Sequence, residues 1–99
     1  LGSSGTAISN SGFTTITATG AIALTLTDPT IAGLRKVISQ TSSSTAAKTV
    51  TTAGGAGIGY DGLNHIAAFD GRGDALSLQS ISTAMWAIVS NTSVALTTA

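Results

Sequence analysis

Three glycines, Gly57, Gly59 and Gly62, have the GxGxxG spacing that cradles phosphate groups in dinucleotide-binding proteins. That motif also requires a strand before it, a helix after it and an acidic residue about twenty residues further on. No helical periodicity follows these glycines, and Asp61 would place a carboxylate where the phosphate should sit. No Lys follows either, so a Walker-type loop is excluded. We therefore interpret residues 54–62 as a flexible or partner-contacting loop, and we expect no cofactor.

A second short motif, Arg72-Gly73-Asp74, matches a tripeptide that can indicate binding to a cell-surface receptor. A tripeptide arises easily by chance, and Gly-Asp before a strand is ordinary turn chemistry. We interpret these residues as a turn.

Catalytic and metal-binding residues are sparse. His65 is the only histidine and there is no cysteine, so neither a usual zinc site nor a recognisable catalytic triad can be assembled from the sequence. The four acidic residues stand next to Gly or Pro, as turn formers do; they are Asp28, Asp61, Asp70 and Asp74. We predict that the chain is not an enzyme and holds no metal.

Trp86 is the only tryptophan and lies inside a strongly apolar segment. This position favours burial in the core or in a seam between subunits. An alternative interpretation is a carbohydrate-binding or adhesin domain in which Trp86 or Tyr60 stacks on a sugar.

The elements that must position these residues alternate with period two, which is typical of β-strands. The clearest apolar row is Ile22, Leu24 and Leu26. Strands are predicted within residues 13–20, 21–28, 34–40, 46–54, 63–69 and 93–99, together with a hairpin over 73–91. The segment 34–40 has no purely apolar face, so we expect it at a sheet edge. We predict an all-β fold, either a small antiparallel β-sandwich or barrel or a trimeric β-prism-like module. Residues 1–12 form a Gly/Ser-rich arm, and residues 13–99 form one β domain.

The composition favours assembly. The net charge is zero and 8% of residues are charged, against about 25% in ordinary domains, while Ser and Thr make up roughly 30% of the chain. Such a surface suits a protein covered by neighbours. Four scattered basic residues disfavour nucleic acid, and the longest apolar run is too short for a transmembrane helix. We expect a homo-oligomer, with the hairpin as its assembly interface. The predicted interface residues are Leu76, Leu78, Trp86 and Ile88.

The order of the strand and turn segments resembles a module of phage and other viral virion proteins. The resemblance covers about residues 21–96 and rests on "LTLTDPTIAGLRKVI", "KTVTTAG", "HIAAF" and "GDALSLQSISTAMWAIVSNTSVAL". The matching positions are Asp28, Gly33, Lys36, Gly73, Asp74, Trp86, Ser90 and Asn91. The Gly-rich insert at 54–62 is longer than in that family, and acidic residues are fewer.

This resemblance implies a trimeric β-structured component of a virion. The function we expect is that of a capsid decoration (cement) protein, which works as a homotrimer on the capsid surface and contacts the major capsid protein. The alternative is a module of a tail or head fibre, which would contact other fibre or tail proteins.

Overall fold

The computed structural model describes residues 7–54, 59–60 and 64–97. These residues contain no helix, and they form nine β-strands. In chain order the strands are β1 (Ala7–Ile8), β2 (Gly12–Ile16), β3 (Ile22–Leu26), β4 (Arg35–Gln40), β5 (Lys48–Thr52), β6 (Ile66–Phe69), β7 (Ala75–Ser82), β8 (Met85–Thr92) and β9 (Ala95–Thr97). The predicted all-β fold is confirmed.

The strands form two sheets that pack against each other. The five-stranded sheet has the order β1-β3-β5-β6-β9, and the four-stranded sheet has the order β2-β4-β7-β8. From β1 to β5 the chain alternates between the sheets, so each strand returns to its own sheet in the same direction. For this reason β1–β3, β3–β5 and β2–β4 are parallel, while the later pairs are antiparallel. The sheets are therefore mixed, whereas the β-sandwich or barrel that the sequence predicted as one alternative was antiparallel.

The core lies between the two sheets, where alternate residues of each strand are buried. The five-stranded sheet contributes Leu24, Leu26, Val50, Ala67 and Phe69, and the four-stranded sheet contributes Ile16, Ile38, Leu76, Leu78 and Trp86. A fully buried side chain of this size stabilises the fold by about 1.5–3 kcal/mol relative to an exposed one. The inward rows are thus the main force that holds the sheets together.

The predicted hairpin is present as the antiparallel pair β7–β8, and it contains two irregularities. Ser77 pairs with Ser90 and Leu78 with Ile88, which leaves Val89 as a bulge on β8. Similarly, the pairs on either side of Ile81 leave that residue as a bulge on β7. A bulge inserts one residue without a partner and changes the direction of its side chain.

The predicted position of the 34–40 strand is wrong. Strand β4 lies inside the four-stranded sheet, between β2 and β7, and not at an edge. Lys36, Ile38 and Gln40 form its inward face and are at most 1% exposed. Lys36 is buried because it finds oxygen acceptors on Ser9, Ser11 and Thr14, which are distant in sequence and which no local pattern reveals. Gln40 donates to the Ser42 and Ser44 carbonyls of the loop that directly follows β4.

The predicted arm, residues 1–12, differs in part from the structure. Residues 1–6 lie outside the described residues. Ala7 and Ile8 form β1 and pair with β3, and Gly12 begins β2, which pairs with β4. At least part of this segment therefore belongs to the edges of the two sheets.

Candidate assembly interface

The four predicted interface residues lie on the inner side of the hairpin. Leu76, Leu78 and Trp86 are at most 1% exposed, and Ile88 is partly buried against the same core. The three fully buried side chains cannot touch a second copy directly. Their role in assembly stays a prediction, and it would act through the hairpin that they anchor.

The Gly-rich loop contributes to the core at the two positions that the structure describes within 55–62. Tyr60 is fully buried, and its hydroxyl donates a hydrogen bond to the Val50 carbonyl at 2.6 Å. Burial raises the pKa of Tyr60 well above its ordinary value. The Gly59 carbonyl accepts a hydrogen bond from the Trp86 backbone N–H at 3.0 Å. The other two glycines of the GxGxxG pattern, Gly57 and Gly62, lie outside the described residues.

The burial of the two candidate aromatic residues removes the basis for the sugar-stacking alternative. Trp86 and Tyr60 are each 0% exposed. A ring that stacks on a sugar must present one face to solvent, so neither side chain can serve as such a platform in this fold.

The Arg72-Gly73-Asp74 tripeptide forms a closed turn. Asp74 is 6% exposed, and its Oδ2 accepts a hydrogen bond from the Asp70 backbone N–H at 3.0 Å. The Arg72 Nε donates to the Thr41 carbonyl at 2.9 Å, and Gly73 has a φ of 89°, which favours glycine. Because the acidic side chain is engaged within its own turn, it is not presented to a receptor.

His65 lies beside the five-stranded sheet, where its backbone accepts from Thr52 N–H at 3.0 Å and donates to the Thr97 carbonyl at 3.1 Å. Within residues 7–54, 59–60 and 64–97, no three His, Cys or acidic side chains cluster as a metal site would require. The absence of catalytic and metal chemistry stays a prediction.

Exposed large apolar side chains concentrate on the four-stranded sheet. Phe13 on β2 is 66% exposed, Ile81 on β7 is 52% exposed and Val89 on β8 is 50% exposed. The latter two are the bulge residues. Together with the half-buried Val37 of β4, they form what we call the apolar face: Phe13, Val37, Ile81 and Val89.

The register of the strands shows how the apolar face is built. One cross-strand row runs through Phe13, Val37, Ser77 and Ser90, with the Val89 bulge at its end. The neighbouring row contains Arg35, the one charged residue on the outward side of these four strands. A shallow depression of about 520 Å³ is lined by Gly12, Phe13, Arg35 and Val37. This side of the sheet thus carries apolar side chains at both ends of the row and serines between them, with one charged residue and a shallow depression next to Phe13.

A loop is fixed at one end of this face. The buried Ser80 Oγ donates to the Ile31 carbonyl at 2.7 Å and accepts from the Leu34 backbone N–H at 2.9 Å. These bonds hold the β3–β4 connection against β7, next to the Ile81 bulge. Ile31 itself is 60% exposed, so a further apolar side chain stands at this end of the sheet.

Lys36 is a buried lysine that holds the edge of the same sheet. Its Nζ donates to Ser9 Oγ at 3.2 Å, to the Ser11 carbonyl at 3.3 Å and to Thr14 Oγ1 at 2.5 Å. Burial lowers the pKa of Lys36, while these three neutral oxygens accept hydrogen bonds from the three N–H groups of its ammonium. The side chain thereby ties β4 to β2 and to the β1–β2 connection.

A second buried lysine and Gln40 hold the loop between β4 and β5. Lys48 Nζ and Gln40 Nε2 each donate to the Ser44 carbonyl at 2.9 Å, and Gln40 Nε2 also donates to the Ser42 carbonyl at 2.9 Å. Sequence reasoning missed both buried lysines. The one available signal is that each occupies an inward position in the period-two pattern.

The chain matches no protein-family model and has no significant similarity to a curated protein sequence.

Proposed function

We propose that the chain is a non-enzymatic structural module that works as a homotrimer in a virion, as a capsid decoration protein on the outside of the shell. The observation that carries the assembly part is the apolar face. Single exposed apolar residues are normal on a monomer, but three large ones, Phe13, Ile81 and Val89, lie on one four-stranded sheet, and this concentration favours an interaction site there.

The charge distribution supports a neutral partner surface. Arg35 is the one charged residue on the outward side of the four-stranded sheet, and both lysines of the chain are fully buried. A nucleic acid or another strongly charged partner would find little to attract it here. A flat, neutral protein surface, such as a capsid seam or another copy of the same sheet, fits this face.

The virion part of the proposal is supported by the resemblance of the strand and turn segments to virion modules. A decoration protein stabilises a shell by packing and backbone hydrogen bonds at subunit seams, and a rigid β-sandwich that requires no cofactor can do so. A fibre module would use the same trimer at the end of a longer shaft. The length of the complete gene product separates these two locations.

Two mass measurements test the proposal. Light scattering of the purified protein should give three times the chain mass, and a stable monomer at micromolar concentration would refute the homotrimer. Quantitative mass spectrometry of virus particles purified from the source should then detect the chain in multiples of three copies. A trimer that is absent from particles would leave an assembly module and refute the virion role.

A further inference from the structure

We propose that the depression beside Phe13 on one copy receives the turn around Asp70 of the next copy, so that Arg35 and Asp70 form an ion pair between copies. This inference rests on the proposed function, and it names the contact that joins the three copies of the homotrimer.

The basic side of this contact is Arg35, which is exposed and borders the depression next to Phe13. Its guanidinium makes no hydrogen bond or ion pair with the part of the chain that the structure describes. The other bases are engaged, since Lys36 and Lys48 are buried on neutral oxygens and Arg72 Nε donates to a backbone carbonyl. A guanidinium is a planar donor that matches a carboxylate, so an acidic side chain is the partner that this position favours.

The acidic side is Asp70, which is exposed at the turn between β6 and β7. Its carboxylate has no hydrogen bond or ion pair among residues 7–54, 59–60 and 64–97. By contrast, Asp28 Oδ1 accepts from the Gly54 N–H at 2.8 Å, and Asp74 Oδ2 accepts from the Asp70 backbone N–H at 3.0 Å. The fourth acid, Asp61, lies outside the described residues. Asp70 is thus the described carboxylate that is left for a partner.

Arg35 and Asp70 cannot meet within one copy, because they stand at opposite ends of β4. Arg35 begins this strand, whereas the turn that carries Asp70 is bonded to its other end. There the Gly73 N–H donates to the Gln40 carbonyl and the Gln40 N–H donates to the Asp74 carbonyl, both at 2.9 Å. An extended strand from position 35 to position 40 spans roughly 16 Å. Pairing of these two charges therefore requires a second copy.

Both sides of the contact are ordered before they meet. The turn is closed on itself, since the Asp74 N–H donates to the Gly71 carbonyl at 3.1 Å while the Asp74 carboxylate holds the backbone of Asp70. Arg35 lies on an inner strand of the four-stranded sheet. Groups that are already fixed lose less conformational freedom when they bind, which favours association.

The contact joins two different surfaces, as a ring of identical copies requires. The turn lies at the end of the strands and the depression lies on the outward side of the sheet, so successive copies differ in orientation. A contact of this kind forms a closed ring when the rotation fits. Each copy contributes one Arg35 and one Asp70, so the charges balance around the ring. The contact also covers Phe13, which is 66% exposed in a single copy.

Exchange of the two charges tests the pairing. Arg35→Glu and Asp70→Lys should each weaken the trimer on the order of tenfold or more, because each brings two like charges together. The double variant places opposite charges at the contact again and should recover most of the affinity. Sedimentation over a concentration series measures the dissociation of each variant, and a thermal melt shows that it is folded.

A second double variant is the matched control. Arg35→Glu combined with Asp61→Lys has the same net charge as the exchanged pair, but it should associate as weakly as Arg35→Glu alone.

Two milder variants decide the question if a charge reversal prevents folding. Arg35→Gln and Asp70→Asn each remove one charge, and the combination should weaken the trimer no more than either change alone, since the second change has no pairing left to remove.

The failures of the two proposals are distinguishable. Recovery by Asp61→Lys in place of Asp70→Lys, or effects of Arg35→Gln and Asp70→Asn that multiply independently, would overturn the pairing. A trimer that neither charge reversal weakens would also overturn it but would leave the trimeric module in place. A monomeric parent protein would overturn both.

Discussion

The outward sides of the two sheets differ in the polarity of their side chains, although both sheets are built from similar strands. The five-stranded sheet presents two rows of small or hydroxyl residues, in which Ile66 is the one larger side chain. The first row consists of Ala7, Thr25, Thr51, Ile66 and Thr97, and the second row consists of Ala23, Thr49, Ala68 and Ala95. The four-stranded sheet presents the apolar face and two long edges. Neither side has more than one charge.

The two outward sides, both almost uncharged, therefore interact with water differently. The threonine hydroxyls on the five-stranded sheet are groups that can form hydrogen bonds with water. On the four-stranded sheet, two bulges expose Ile81 and Val89, and Phe13 lies at the edge. Water solvates these side chains poorly, so that side gains free energy when it is covered.

The largest expected effect on stability comes from truncating Trp86, the largest core side chain of the four-stranded sheet. Trp86→Ala should lower the free energy of unfolding by about 3–5 kcal/mol, because it leaves a cavity where the largest core side chain was. A small domain has only about 5–15 kcal/mol in total. Chemical denaturation of the parent and the variant measures the loss.

Two variants control this prediction. Thr83→Ala, at the exposed turn of the same hairpin, should change stability by at most about 0.5 kcal/mol, since exposed substitutions rarely do more. His65→Ala should leave the oligomer intact. A Trp86→Ala protein that melts and assembles like the parent would show that the hairpin does not support the sheet.

The next effect concerns assembly. Phe13→Asp should weaken self-association on the order of ten- to a hundredfold, because it removes about 1.5–3 kcal/mol of burial at the apolar face and adds a charge. Ala23→Asp places the same charge at an exposed position of the five-stranded sheet and should leave association unchanged. Sedimentation over a concentration series compares the two. Equal weakening would mean that the two sheets do not differ in function.

A smaller effect is expected from the pH dependence of Lys36. Since burial lowers the pKa of Lys36, the native state releases this proton before the unfolded state, whose pKa is 10.5. Between the two pKa values the unfolded state binds more protons, so stability contributed by Lys36 rises with pH. Below this window both states are protonated, and the full cost of burying the charge remains.

Tyr60 gives the opposite sign at higher pH. Its raised pKa keeps the native phenol protonated above 10.0, where the unfolded phenol ionises, so stability falls with pH there.

Urea midpoints of the parent and Lys36→Met, measured from pH 7 upwards, isolate the contribution of Lys36. The urea midpoint of the parent should rise relative to that of Lys36→Met as the pH increases towards 10. A difference that does not change with pH would contradict the predicted effect of Lys36.

The smallest effect is expected on the outward side of the five-stranded sheet. Thr25→Val keeps the shape of a β-branched side chain and should change stability by no more than about 0.5 kcal/mol, with no change in oligomeric mass. Thermal melts and light scattering check both. A new higher oligomer would show that the hydroxyl rows keep this sheet from associating.

Much of the strand layout follows from period-two alternation. The row Ile22, Leu24 and Leu26 predicted β3, and the apolar residues on both sides of residues 83–84 predicted the hairpin. Alternation says which residues share a face, but it does not say which strands are neighbours. The alternation of β1 to β5 between two sheets, and hence their parallel pairing, could not be predicted.

The apolar face was missed for a related reason. Only Leu76, Leu78, Trp86 and Ile88 were given a role on the hairpin, and no face was assigned to Ile81 and Val89, which the bulges expose. The adjacent pair Ile88-Val89 interrupts strict alternation and is the local signal of a bulge. Lys36 and Gln40 misled in the opposite direction, because their polarity indicated an exposed edge. Inside the fold Lys36 donates to oxygens of Ser9, Ser11 and Thr14, and Gln40 Nε2 donates to the carbonyls of Ser42 and Ser44.

The alternation of the first five strands between two sheets also affects how the chain folds. No parallel pair can form until the intervening strand of the opposite sheet has been placed, and the five-stranded sheet is complete only when β9 arrives at residues 95–97. Most of its pairings therefore join residues far apart in sequence, which is the kind of topology that folds slowly. Only the pairs β5–β6 and β7–β8 join strands that follow each other in the chain, so most of the structure should form and be lost together, in a single kinetic step.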